Sequence, residues 1–370
     1  MHVKVAGVCS RYIFAVRNGC GSSRLHATTQ EGITMTNPSA AEPIRDIATL
    51  GSIELLTPKP ERSLWYFKDV LGMEAVHTEG SSVYLRGYGD FAVYALKLTG
   101  AKQAGVGTIA WRTISPAALE RRVQALQQAG LGGQWSERDF GRGRTFHFRD
   151  PDGHAMAVYY DELKYVAPDN LRSTLKNLPQ RYTGRGAAVR RTDHLALLCR
   201  DVATNRRFAQ EQLGFQLRET ILFEHGTFEL GSWLSPTAVH HQLAYVVDIK
   251  GASGRLHHIS MWVDQREDVL RAADILTENG IFIEAGPSKH NNSQAFYLYS
   301  YEPGGNRVEI YSGSYLVFAP DWEPVTWNEE ERGTGVYWGG ALPDSFIQYA
   351  TPEVSEMVSP TRPIPVFDPA

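Results

Sequence analysis

The chain has 370 residues, 42% hydrophobic and 21% charged, an ordinary composition for a globular protein with room for about two domains. Its formal net charge of -4 excludes the basic footprint of a nucleic-acid binder, and no apolar run reaches the roughly 18 residues that cross a membrane. Three scattered cysteines, Cys9, Cys20 and Cys199, cannot build a disulfide or zinc framework, which favours a reducing, cytoplasmic setting and leaves a small molecule as the expected partner.

Residues 1–34 differ from the rest: Lys4, Arg11, Arg17 and Arg24 stand with no acid before Glu31. Such a stretch fits either an organelle transit peptide or an upstream extension with Met35 as the functional start. Residues 1–46 are therefore read as a disordered extension outside the fold.

From Ser52 the segment SIELLTPKPERSLWYFKDVLGM repeats in pattern as HLALLCRDVATNRRFAQEQLGF from His194: an apolar strand, a polar turn, an amphipathic helix, then Leu-Gly. Gly72 stands as far from Ser52 as Gly214 does from His194, and glycine after the last periodic residue is the usual helix stop. A second pair follows, with TIAWRTISPAALERRVQALQQAG from Thr108 matching HISMWVDQREDVLRAADILTENG from His258 and ending at Gly130 and Gly280. Ser115 can cap its helix, Pro116 suits the first turn, and Leu119, Val123 and Leu126 share one face, as do Val269, Ala273 and Leu276 in the partner. Each half closes with strands around a turn, Asp150-Pro151-Asp152-Gly153 or Glu302-Pro303-Gly304-Gly305. The expectation is an α+β protein of four βαβββ modules, paired into two strongly curved sheets with helices outside. The domains span 47–160 and 191–313, with 161–190 as connector and 314–370 as a tail whose Trp322, Trp327, Tyr337 and Trp338 should pack back on the domains.

The two modules of the second half open with His194 and His258, and its last strand carries Glu309; the matching places in the first half hold Ser52, Thr108 and Ala157. Two imidazoles and a carboxylate are the ligand set of a non-haem Fe(II) site with open positions. Strand alternation puts His258 with Ser260 and Trp262 on the cavity face, His257 with Ile259 and Met261 in the core, and Glu309 opposite Val308 and Ile310. Taken singly, each histidine also fits a hydrogen-bonded core position and the glutamate an ion pair.

At these residues the sequence resembles the type I extradiol ring-cleaving dioxygenases of the vicinal oxygen chelate fold, most of all the catechol 2,3-dioxygenases. The resemblance spans roughly 47 to 330 and is sharpest in GRLHHISMWVDQREDVLRAADIL, GPSKH and EPGGNRVEIYSG. It implies a glyoxalase-like fold of paired βαβββ modules forming an incomplete barrel, with metal in the C-terminal domain alone. Residue by residue, it makes His194, His258 and Glu309 the metal ligands. His241 of VHHQLAYV becomes the histidine beside the oxygen site, and His290 and Tyr299, the latter ten residues before Glu309, hydrogen-bond the substrate. His240 and His241 are expected to point to opposite faces, and the family's H-x-x-A-aromatic pattern selects His241.

The implied cofactor is Fe(II), with Mn(II) able to replace it, and the implied partners are a catecholic substrate, O₂ and further copies of the chain in a homo-oligomer, commonly a tetramer. The implied reaction opens the ring beside the diol to a 2-hydroxymuconic semialdehyde type of product, with His241 as acid and with Trp262 and Phe296 as candidate pocket walls. Two rivals use the same fold: a glyoxalase- or epimerase-like metalloenzyme, and a metal-free protein that binds an aromatic ligand.

Overall fold

The computed structural model describes residues 42–331 and 335–352. The expected extension falls almost wholly outside the described residues. Its last member, Asp46, is buried and bonded to the Arg121 and Arg122 guanidiniums.

The first half runs β1 (Ile47–Thr57), α1 (Pro60–Trp65) with a wide helical turn over Tyr66–Val70, β2 (Glu74–Glu79), β3 (Ser82–Arg86) and β4 (Leu96–Gly100). It continues with β5 (Gly105–Thr113), α2 (Pro116–Gln128), β6 (Gln134–Ser136), β7 (Thr145–Arg149) and β8 (Ala155–Tyr159). The second half begins with β9 (Arg191–Cys199), α3 (Val202–Leu213), β10 (Gln216–Phe223), β11 (Phe228–Ser235) and β12 (Leu243–Val247). It ends with β13 (Arg255–Trp262), α4 (Arg266–Glu278), β14 (Ile283–His290), β15 (Ala295–Tyr301) and β16 (Arg307–Gly313).

Local chemistry explains the helix bounds. Ser115 accepts a hydrogen bond from the Ala118 N–H and Asp201 one from the Thr204 N–H, so α2 and α3 start with a satisfied donor. Gly72, Gly130, Gly214 and Gly280 all have φ between 66° and 82°, the left-handed stop that the sequence spacing predicts. None of the helices among the described residues is long and apolar enough to cross a membrane.

The strand order of the first sheet is β2-β3-β4-β1-β5-β8-β7-β6, and the second repeats it as β10-β11-β12-β9-β13-β16-β15-β14. Both sheets are open, with no ladder joining the first strand to the last, so the barrel is incomplete as expected. Registers match as well: Ser52 faces Ala110, which faces Ala157, and His194 faces Ser260, which faces Glu309. The two halves therefore place equivalent residues at equivalent points, and one half has a histidine and a glutamate there where the other has Ser52 and Ala157.

The halves meet through buried polar pairs at the closing turns. The Ser63 hydroxyl donates to Glu302, the Asn306 amide donates to the Leu56 carbonyl at 2.9 Å, and Tyr245 donates to Asp150 at 3.0 Å. In the expected connector, Ala187 and Val189 are buried and their N–H groups donate to the Val70 and Leu71 carbonyls.

The tail adds a strand at each edge of the second sheet. β17 (Val325–Trp327) pairs in parallel with β10, and β18 (Val336–Trp338) pairs antiparallel with β14. α5 (Ser345–Gln348) then reaches Arg307, whose guanidinium donates to the Ser345 carbonyl at 3.0 Å and the Tyr349 carbonyl at 3.2 Å. Trp322 and Trp327 donate their indole N–H groups to the Arg218 carbonyl and Glu219, and Trp338 packs on Phe296, while Tyr337 stays exposed.

Candidate metal centre

β9, β13 and β16 are neighbours, so their cavity faces bring His194, His258 and Glu309 together. One potential ligand atom from each lies within 4.8 Å of the others. His194 Nε2 is 2.9 Å from Glu309 Oε2 and 3.4 Å from His258 Nε2, and His258 Nε2 is 3.6 Å from Glu309 Oε2. All three residues are buried.

Outer partners decide which nitrogen of each histidine faces inward. Asp193 Oδ2 lies 2.9 Å from His194 Nδ1, and a carboxylate only accepts, so that nitrogen carries the proton and Nε2 keeps a lone pair. On His258 the same work falls to His257. His257 Nε2–H donates to the Phe346 carbonyl at 2.9 Å, its Nδ1 accepts from His258 Nδ1–H at 2.7 Å, and His258 Nε2 is left as a lone pair.

Two lone-pair nitrogens and a carboxylate converging inside a protein repel one another unless a cation sits between them. Glu309 Oε2 is buried without a hydrogen-bond partner despite its closeness to His194, because the His194 proton is committed to Asp193. Such an orphaned oxygen, facing two imidazole nitrogens, is what a divalent metal with a 2-His-1-carboxylate set needs. A proton competes for the same place: burial opposes charge on His194, but hydrogen bonds donated to Asp193 and Glu309 outweigh it and raise its pKa to about 9. Burial likewise opposes charge on Glu309, yet His194, His290 and His258 hold it well below the usual carboxylate range. His258 is pushed down to about 3, chiefly by burial, which keeps it neutral with a lone pair able to bind a metal.

Around this centre stand the remaining expected residues. The His241 ring lies 4.0 Å from the His194 ring, and burial first, then the nearby His194 and His240 imidazoles, hold it well below its ordinary pKa. His290 Nε2 is 3.0 Å from the Tyr299 hydroxyl and 3.6 Å from Glu309 Oε1; its Nδ1–H donates to the Gly335 carbonyl at 3.0 Å, and Tyr297 stacks on its ring. Tyr299 faces Glu309 across the β15–β16 ladder, and its phenol is kept protonated by burial and by that carboxylate. All six expected site residues line one cavity of about 260 Å³.

The family model for the glyoxalase/bleomycin resistance protein/dioxygenase superfamily matches residues 49–158 and again 191–310. The chain belongs to that superfamily. A metapyrocatechase of Geobacillus stearothermophilus is 41% identical over 323 residues, covering 86% of this chain and 98% of that protein. A manganese-dependent 2,3-dihydroxybiphenyl 1,2-dioxygenase of Geobacillus genomosp. 3 is 41% identical over 299 residues, covering 80% and 94%. Among solved structures, homoprotocatechuate 2,3-dioxygenase of Arthrobacter globiformis superposes with a TM-score of 0.76 at 25% identity, covering 88% of this chain and 98% of that one.

Three expectations need correction. His257 is not a core residue: the register slips between Leu256 and His258, the alternation breaks at that bulge, and the His257 ring meets His258 with centroids 4.9 Å apart and joins the cavity wall. His240 and His241 do not point to opposite faces either. They lie in the loop before β12, where no pleat separates them, and their rings meet at 4.9 Å. The walls are not Trp262 and Phe296. Trp262 packs against Tyr311 and the Arg191 guanidinium, and Phe296 against Trp338 and Arg266. The apolar walls are Ile221, Leu230, Trp233 and Val247 from the second sheet and Leu342 and Ile347 from the tail. Nothing in the tail's periodicity marked it as part of the site; its aromatic content was the signal that it packs somewhere.

Proposed function

We propose that this protein is an extradiol dioxygenase that opens the ring of a catechol beside the diol with O₂, giving a 2-hydroxymuconic semialdehyde type of product. The observation that carries the reading is a buried two-histidine, one-glutamate cluster at the floor of an apolar cavity, with His241, His290 and Tyr299 around it. His194, His258 and Glu309 hold the metal, which we assign as Fe(II), with Mn(II) fitting the same donors. Bound there, the metal would supply a Lewis acid that favours the diol's anionic form and a single centre that brings diol and O₂ together.

The chain's own side chains do the rest. His241, neutral because it is buried, accepts a proton from the diol and returns it to an oxygen atom as the ring opens. His290 and the Tyr299 hydroxyl, bonded to each other, hold the substrate oxygens in line. The walls are mostly apolar, and among the described residues the cavity has no Lys or Arg in its lining. A ring with an uncharged apolar substituent therefore fits, whereas a carboxylated one would bury an unpaired charge.

The chain as a whole is read as a cytoplasmic homo-oligomer. The test of the reading is anaerobic purification, metal analysis, and oxygen uptake with catechol, methylcatechols and dihydroxybiphenyl. A yellow ring-opened product from any of them supports it, and none from all of them defeats it.

A further inference from the structure

Outside the ligand set, one buried carboxylate has no role in the chemistry above. Glu219, on β10, is 2% exposed and accepts four hydrogen bonds: His240 Nε2–H at 2.8 Å, the Tyr315 hydroxyl at 2.7 Å, the Ser293 N–H at 2.9 Å and the Trp327 indole N–H at 2.6 Å. Those donors outweigh the burial that opposes its charge, so it is ionised and acts only as an acceptor. His240 is buried between Glu219 and His241, with its Nδ1 2.8 Å from His241 Nδ1.

The consequence runs along the chain of rings. An acceptor at Nε2 forces the His240 proton onto Nε2, and burial keeps that imidazole neutral. His240 Nδ1 is then a lone pair that must accept, so His241 Nδ1 must donate, and the lone pair of His241 falls on Nε2. His241 lines the cavity, so this is the nitrogen left for substrate.

We propose that His240 and Glu219 are positioning residues that fix His241 in the tautomer with Nε2 unprotonated and hold its ring toward the cavity. The inference rests on the dioxygenase reading for what His241 does, not for the tautomer. His257 performs the same service for His258, with the Phe346 carbonyl in place of a carboxylate. Each doubled histidine thus pairs a working ring with a neighbour that sets its proton. Because Trp327 and Tyr315 help hold Glu219, docking of the tail strand and setting of the tautomer are one structural event.

The test pairs two substitutions that a packing role and a positioning role rank oppositely. His240→Phe keeps a ring against Tyr315 and removes both hydrogen bonds; His240→Gln loses the ring, but its amide can donate to Glu219 and accept from His241. Positioning predicts that the Phe variant loses kcat by about 10²–10⁴-fold with metal content unchanged, the contribution of a correctly directed acid–base group. The Gln variant should recover most of that loss. Equal losses in both variants, or a Phe variant as active as the parent, overturn the proposal. Independently of activity, ¹⁵N-histidine NMR of the metal-free full chain, with His241 assigned through His241→Asn, should show a protonated Nδ1 and a bare Nε2. A protonated Nε2 on neutral His241 in the parent chain overturns the proposal even if both variants fail to fold. If no catechol is cleaved, the dioxygenase reading falls while the spectrum still decides the tautomer.

Discussion

Arg142 donates from its guanidinium to the Ser52 hydroxyl, at the strand position that His194 fills in the other half of the molecule. The same guanidinium lies over Tyr94 and Tyr159, at 4.9 and 4.6 Å from their ring centroids. Where the second half gathers donors that need a cation, the first half already holds one of its own. A fixed positive charge beside Ser52 repels a metal, and neither Ser52 nor Ala157 is an anion that could hold one. The protein should accordingly bind one metal per chain, and Arg142→Gln should leave the count at one. Elemental analysis against protein concentration checks it, and a stoichiometry near two in either form would sink the assignment.

Glu309→Gln should abolish both metal retention and oxygen uptake, since an amide cannot replace the charge that faces two imidazoles. Asp193→Asn is the finer probe. It keeps the ligands but weakens the partner that holds the His194 proton on Nδ1, and such outer partners are worth about 10–100-fold in metal affinity. Competition with a chelator of known affinity measures the drop. Unchanged affinity in Asp193→Asn would mean that His194 does not depend on Asp193 for its tautomer.

His241→Asn should retain full metal and bind catechol anaerobically, yet lose kcat by about 10²–10⁴-fold, the usual contribution of a positioned acid–base group. Because His241 is held neutral, the loss should appear as a fall in kcat with little change in the pH at which activity begins. Loss of metal in this variant would instead make His241 a ligand.

How much of this could be read beforehand depends on which physical rule governs each residue. The repeat, the helix stops and the equivalence of Ser52 with His194 were legible because hydrophobic period and glycine spacing report local backbone directly. The strand face of Glu309 was legible because β16 is regular and alternation holds there, and that of His258 because alternation resumes just past the bulge, with Ser260. His257 and His240 were misread for the converse reason: one lies at a bulge and the other in a loop, and neither is announced by composition. Trp262 and Phe296 were misread as walls because a side chain's strand face does not say what packs against it. The closing role of Phe346 and Leu342 depends on contacts across many residues, which no local pattern encodes.

The lining also predicts a substrate ranking. Ile221, Trp233 and Val247 offer a ring substituent apolar contact, and among the described lining residues no Lys or Arg waits for a carboxylate. An unpaired buried carboxylate costs several kcal/mol, so a carboxymethyl-catechol should have a kcat/KM more than about 100-fold below that of a methyl- or phenyl-catechol. Val247→Arg should narrow that gap by supplying the missing charge. Equal rates for charged and uncharged catechols with the parent protein would show that the substituent lies in solvent rather than against these walls.

Arg307 joins catalysis to the tail. Its fully buried guanidinium binds Glu284 through two nitrogens, at 2.5 and 2.9 Å, and also donates to the His257, Ser345 and Tyr349 carbonyls. Through those bonds it holds α5, and with it Phe346, against Tyr299 and His257. Arg307→Leu leaves the Glu284 carboxylate buried and unpaired, at a cost of about 3–5 kcal/mol, and the double change with Glu284→Leu should recover part of it. The pH dependence follows from Glu284. Burial alone would raise its pKa, but Arg307, Tyr301 and Ser345 lower it below its ordinary value of 4.5. Its contribution is then complete above that value and is lost as pH falls through the lower folded pKa, so the tail stays docked at neutrality and loosens only in acid. Limited proteolysis across the tail should be slow at pH 7, faster in strong acid with an acid-active protease, and fast at pH 7 in Arg307→Leu, with a raised KM for catechol. A tail equally resistant in the parent and Arg307→Leu would show that β17 and β18 hold it without Arg307.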